Sequence, residues 1–131
     1  MSLSLKILGA SSAIPLMDRH TSSQFLTIAN RHFLIDCGEG TQVQLRRCGV
    51  GFGRVNHILI SHLHGDHIYG LMPLLSTFHL LDRHKELHIY CPEELEQGIY
   101  NLLKLSKTSL RYNLIFHHHN PKERTLLFED S

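Results

Sequence analysis

Cysteine is scarce and unpaired: Cys37, Cys48 and Cys91 are an odd set, and no two have C-x-x-C spacing. That excludes a secreted disulfide framework, so the three are read as free thiols, buried or partly buried. Charge of one sign is scarce as well. Lys+Arg number 13 and Asp+Glu 12, for a net charge of +1. This excludes a polybasic chain that grips nucleic acid by bulk attraction, while leaving room for a local basic patch. No run approaches the roughly 18 apolar residues of a membrane span. Met1 to Lys6 lacks a basic segment leading into a long apolar one. The expectation is a soluble, cytoplasmic chain with no signal, no transmembrane segment and no membrane partner. With 42% hydrophobic and 19% charged residues, the composition excludes a disordered or low-complexity chain. No repeat, linker or internal boundary interrupts residues 1–131, a length that suits a single domain. The glycines make no nucleotide fingerprint: Gly38-Glu39-Gly40 has no G-K-[ST] after it and no third glycine in register.

Hydrophobic periodicity predicts an α/β layer. Ser4–Leu8 reads as a strand, and 10–22 as a loop. Gln24–Ala29 and His32–Ile35 read as a hairpin turning at Asn30-Arg31, where asparagine tolerates positive φ. After a Gly-rich turn, Thr41 should cap a helix over Gln42–Cys48 with Val43 and Leu45 inward. His57–Ile60 reads as a buried strand and Ser61–Asp66 as a loop. Ile68, Leu71, Leu74, Leu75 and Phe78 are spaced as a helix face, with Pro73 ending a first turn or starting a second segment. Leu87–Cys91 reads as a strand. Pro92 followed by Glu93, Glu94 and Glu96 marks the start of a helix reaching about Ser106. Tyr112–His117 and Thr125–Phe128 read as a strand pair with a turn at Asn120-Pro121-Lys122.

What is abundant is histidine, 12 residues. Three of them fall with an aspartate where the His57–Ile60 strand ends: His62-Leu63-His64-Gly65-Asp66-His67, the pattern H-x-H-x-D-H. Chance would place it roughly 0.004 times in a chain of this composition, so it is informative even against a histidine-rich background. In extended chain, residues i and i+2 project the same way, so His62 and His64 can grip one metal. Asp66 and His67 lie where the chain turns toward a helix and can reach a second, with Gly65 permitting the tight turn. Imidazole with carboxylate is a ligand set for Zn²⁺, with Mn²⁺ or Fe²⁺ as alternatives. Asp36, at a strand end before the Gly-rich turn, can accept backbone N–H bonds or orient a metal-bound histidine. His117-His118-His119 is read as a solvated strand end in preference to a metal site. His20, His32, His57, His79, His84 and His88 are read as surface or satisfied core, with His57 also a weak candidate for supporting the metal ligands.

The H-x-H-x-D-H loop resembles the signature of the metallo-β-lactamase superfamily. Three segments resemble its ribonuclease Z branch, the endonucleases that trim the 3′ trailer from precursor tRNA. They are Leu8–Pro15, Ile35–Gln42 and Ser61–Leu71, and the resemblance runs through the whole chain in order. It implies an αββα sandwich with a two-metal site at one edge, of which residues 1–131 supply about the N-terminal half. It implies two Zn²⁺ per complete site, with His62 and His64 on the first metal and Asp66 and His67 on the second. Asp66 would also be the proton acceptor for the attacking water. The implied reaction is phosphodiester hydrolysis of precursor tRNA leaving a 3′-hydroxyl, and the implied assembly is a homodimer. Arg19 matches a loop residue that bears on the tRNA 3′ end, while Met17 and His20 stand where lysine and asparagine are common. Three further ligands and the tRNA-gripping arm would lie beyond the last strand pair. Two alternatives stay open: another hydrolase of the superfamily, such as a small-molecule phosphodiesterase or arylsulfatase-like esterase, and an inactive metal-binding chain.

Overall fold

The computed structural model describes residues 2–11, 14, 16–17, 19–120, 122–124 and 126. Six strands form one sheet in the order of the sequence: β1 (Leu3–Gly9), β2 (Ser23–Ile28), β3 (Arg31–Ile35), β4 (His57–Leu59), β5 (Leu87–Cys91) and β6 (Leu114–His118). The first three pair antiparallel and the last four parallel. Parallel neighbours need crossovers. Helix α1 (Thr41–Arg47) links β3 to β4. Helices α2 (Gly65–Ile68) and α3 (Leu71–Leu80) link β4 to β5, and α4 (Glu93–Leu105) links β5 to β6. Because β3 to β6 advance in one direction, crossovers of one hand lay every helix on the same side. That side holds the core: Phe25, Leu34, Ile58 and Ile89 in register, under Leu45, Leu71, Leu74, Leu75, Phe78, Ile99 and Leu103.

The opposite face is different. Leu3, Leu5 and Ile7 alternate out of β1 with 71%, 51% and 54% of their surface exposed. Leu26, Ile35, Leu59 and Ile115 continue that face across the sheet at intermediate burial. Among the described residues no helix covers it. A sheet covered by helices on one side only, with a largely apolar second side on which Phe33 and Tyr90 are the buried exceptions, is one sheet-and-helix layer pair of a sandwich.

Several expectations needed correction. Thr41 is the first residue of α1 and not its cap, which is Gly40, and its hydroxyl donates to the Gly38 carbonyl at 2.7 Å. The hairpin turns at Ala29-Asn30, one residue early, with Ile28 opposite Arg31, and Ala29 rather than Asn30 takes positive φ at 54°. Register decides this: a one-residue slip would send Phe25 and Leu34 to the wrong face. Val43 is exposed at 45%, whereas Leu45 is fully buried. Residues two apart on a helix cannot share a face, and the buried partner of Leu45 is Thr41, four residues back. Tyr112 precedes β6, and its hydroxyl donates to the Leu75 carbonyl at 2.8 Å. Pro73 lies in the first turn of α3, where a missing N–H costs least. Of the expected Thr125–Phe128 strand all but Leu126, and Pro121 of the expected turn, lie outside the described residues. The thiols are free, with Cys37 and Cys91 buried and Cys48 partly so. Burial pushes Cys37 and Cys91 up to about 12, the nearby Glu96 and Glu94 adding to the effect at Cys91, which leaves both unreactive. Among the described residues no helix is long and apolar enough to cross a membrane.

Candidate metal centre

Two loops meet at the ends of β3 and β4. The first, 36–40, leaves β3 with Asp36 in the left-handed region at φ 61°, which aspartate tolerates better than most residues. The second, 61–70, leaves β4 and carries the histidines. Backbone hydrogen bonds stitch them together: Cys37 N–H to the His67 carbonyl at 2.8 Å, and Gly70 N–H to the Cys37 carbonyl at 2.9 Å. Glycine is required at the crossing. A Cβ on Gly70 would collide with the Gly38 carbonyl oxygen, and one on Gly38 with the Thr21 hydroxyl and the Asp66 carbonyl.

The buried Asp36 carboxylate organises the second loop. One oxygen accepts Ser61 N–H at 2.7 Å and the other accepts His67 Nδ1–H at 2.7 Å, while the Ser61 hydroxyl donates at 2.8 Å. A carboxylate only accepts, so the His67 proton sits on Nδ1 and the Nε2 lone pair faces outward. The Ser61 hydroxyl has spent its one proton on Asp36, so at 3.0 Å it accepts from His62 Nδ1–H. His62 therefore also presents Nε2. This is the arrangement in which an outer carboxylate fixes the tautomer of a metal-binding imidazole.

His64, extended at φ −63° and ψ 143°, precedes α2, whose first turn holds Asp66 and His67. The rings of His62 and His64 are 4.8 Å apart, and those of His62 and His67 are 3.8 Å apart. Asp66 Oδ2 lies 3.3 Å from His67 Nε2. The four donors form one knot rather than two separated pairs, and among the described residues no three side chains converge as a finished metal site. The chemistry of the set still suits a divalent metal: three imidazoles beside a carboxylate, with His62 and His67 each held at Nδ1 by a hydrogen-bonded partner.

The other sequence candidates lie elsewhere. Exposed Arg19 pairs its backbone with Leu16 and, with Ser11, His20 and Gln44, lines a cavity of about 400 Å³ beside β1. His117-His118-His119 lies at the end of β6, as expected, with His118 exposed, but its rings are partnered: His117 bonds His88 at 2.9 Å, His118 bonds Glu96 at 2.6 Å, and His119 bonds the Ile60 carbonyl at 2.9 Å. Ser61 was not foreseen. It adjoins His62, but nothing in the sequence links it to a carboxylate 25 residues earlier.

A family model described as anti-Pycsar protein Apyc1 matches residues 3–125. The chain belongs to this family. Its relatives among curated proteins are ribonucleases Z. That of Bacteroides thetaiotaomicron is 48% identical over 126 residues, covering 96% of this chain and 40% of the relative. That of Bacteroides fragilis is 46% identical, covering 96% and 41%. The chain thus spans about two fifths of the length of the curated relatives it matches. Human tRNase Z, short form, superposes with a TM-score of 0.80 at 38% identity, over 87% of this chain and 43% of the human one. The metallo-β-lactamase fold protein YhfI of Bacillus subtilis superposes with a TM-score of 0.69 at 20% identity, over 88% and 46%. The Apyc1-family chain therefore has the metallo-β-lactamase fold over about half of such a chain.

Proposed function

We propose that residues 1–131 form the N-terminal half of a metal-dependent endoribonuclease that removes the 3′ trailer from precursor tRNA and leaves a 3′-hydroxyl. The observation that carries the hydrolytic reading is His67, held at Nδ1 by Asp36 with Nε2 beside Asp66. The RNA reading is supported by the names of relatives 48% and 46% identical to this chain. In this reading His62, His64, Asp66 and His67 hold metal, two Zn²⁺ per complete site, with Mn²⁺ or Fe²⁺ as alternatives. Bound there, the metals would lower the pKa of a water and neutralise the phosphate. The residues do the rest. Asp36 and Ser61 fix the imidazole tautomers, Asp66 takes the proton from the attacking water, and Arg19 contacts the RNA 3′ end. The open sheet face takes the second sheet of the sandwich, and the whole protein works as a homodimer in the cytoplasm.

The test is to incubate the complete protein containing this chain, with Zn²⁺, on a precursor tRNA carrying a trailer. Release of the trailer and a tRNA extendable from its 3′-hydroxyl is the expected result. The family model is not itself described as a ribonuclease Z, which leaves room for a second reading, another hydrolase of the same fold such as a small-molecule phosphodiesterase. An intact trailer alongside hydrolysis of bis(p-nitrophenyl) phosphate would select it.

A further inference from the structure

Four rings on the open sheet face lie outside the metal cluster and have no part in the chemistry above. Strand register puts His57 of β4 opposite His88 of β5, and Tyr90 of β5 opposite His117 of β6. The rings follow the register. His57 and His88 stack at 5.1 Å and 23°, and Tyr90 and His117 at 4.4 Å and 12°. The diagonals are hydrogen-bonded: His57 Nδ1 with the Tyr90 hydroxyl at 3.1 Å, and His88 Nδ1 with His117 Nε2 at 2.9 Å. Such an imidazole pair needs one N–H and one lone pair facing each other. Protonation of both rings sets two N–H groups against one another and puts two like charges in contact.

We propose that His57, Tyr90, His88 and His117 form a proton-sensitive latch across β4, β5 and β6, closed while its imidazoles are neutral and loosened when they charge. Its consequence reaches the metal loop, because β4 runs from His57 straight into Ser61 and His62. The surroundings oppose charging. Burial, then His88, Arg31, His117 and Lys85, pull His57 down to about 4. Burial, then His88 and His118, lower His117. Among the described residues, Glu86 brings a carboxylate to the latch, 3.8 Å from His88 Nε2. Arg31 comes from β3, Lys85 and Glu86 from the turn before β5, and His118 from β6. A histidine lowered in the folded state lets the unfolded chain bind protons first. The stability it contributes is complete above the ordinary histidine range and falls as pH drops from about 6.5. For His57 the loss continues down to about pH 4, its value in the folded chain.

The test uses the complete protein containing this chain. NMR titration of the ring C2–H protons should show His57 unprotonated at pH 5 and His117 titrating below the ordinary histidine value. The urea midpoint should fall between about pH 6.5 and 5. In His57→Phe/His117→Gln, which keeps a ring and a hydrogen-bonding partner without the charge, about half or more of that fall should vanish. His84→Gln should leave it intact. Ordinary titration of His57 and His117 would overturn the proposal. So would a pH dependence that survives in the double variant or is lost equally in His84→Gln.

Discussion

Asp36 accepts hydrogen bonds from two residues of a loop that begins 25 positions later, and this makes it the residue on which the metal loop depends. Asp36→Asn keeps the shape but turns one acceptor into a donor facing Ser61 or His67. The expected result is a loss of metal affinity of about 10–100-fold, read by chelator competition. Chain stability should fall by about 2 kcal/mol in urea titration. Asp66 plays a different part. In the complete protein, Asp66→Ala should lower turnover much more than substrate affinity, and steady-state kinetics separate the two. An equal loss of affinity would count against its role as proton acceptor. The H-x-H-x-D-H pattern was legible because adjacent ligands leave a local signature. Asp36 was legible only as one of two possibilities, and Ser61 not at all, because their pairing exists only once β3 and β4 lie side by side.

At the scale of elements, the site is a junction of two loops held by backbone contacts that admit no side chain. Gly70→Ala would drive a methyl group into the Gly38 carbonyl. We expect it to destabilise the chain by about 3 kcal/mol or more, measured by urea unfolding. Gly51→Ala, where a Cβ meets nothing within 4 Å, should change stability far less. The boundaries of β5 coincide with the run Leu87–Cys91, because an apolar strand buried on its helix-covered side announces itself. The hairpin turn and the inward face of α1 were misplaced by small shifts that matter, since one residue in a strand or two in a helix reverses a side chain's direction.

At the scale of the molecule, helices cover one side of the sheet and leave Leu3, Leu5 and Ile7 exposed on the other. The chain alone should therefore bind a hydrophobic dye such as ANS, and lose that signal when a second sheet covers the face. Its four donors should hold no more than one Zn²⁺ tightly, because each metal needs three or four ligands; equilibrium dialysis with metal analysis counts them. Two tightly held zincs per chain would refute this. The sequence by itself determined the types of the strands and helices over the described residues, the lack of a disulfide framework and the H-x-H-x-D-H loop at the end of β4, because each is written in neighbouring residues. Only the tertiary structure decided that Asp36 and Ser61 orient the imidazoles, that His57, His88, Tyr90 and His117 form one ladder, and that, among the described residues, the uncovered apolar surface is the sheet face carrying Leu3, Leu5 and Ile7. Those features depend on strand order and register, which bring together residues that are distant in the chain.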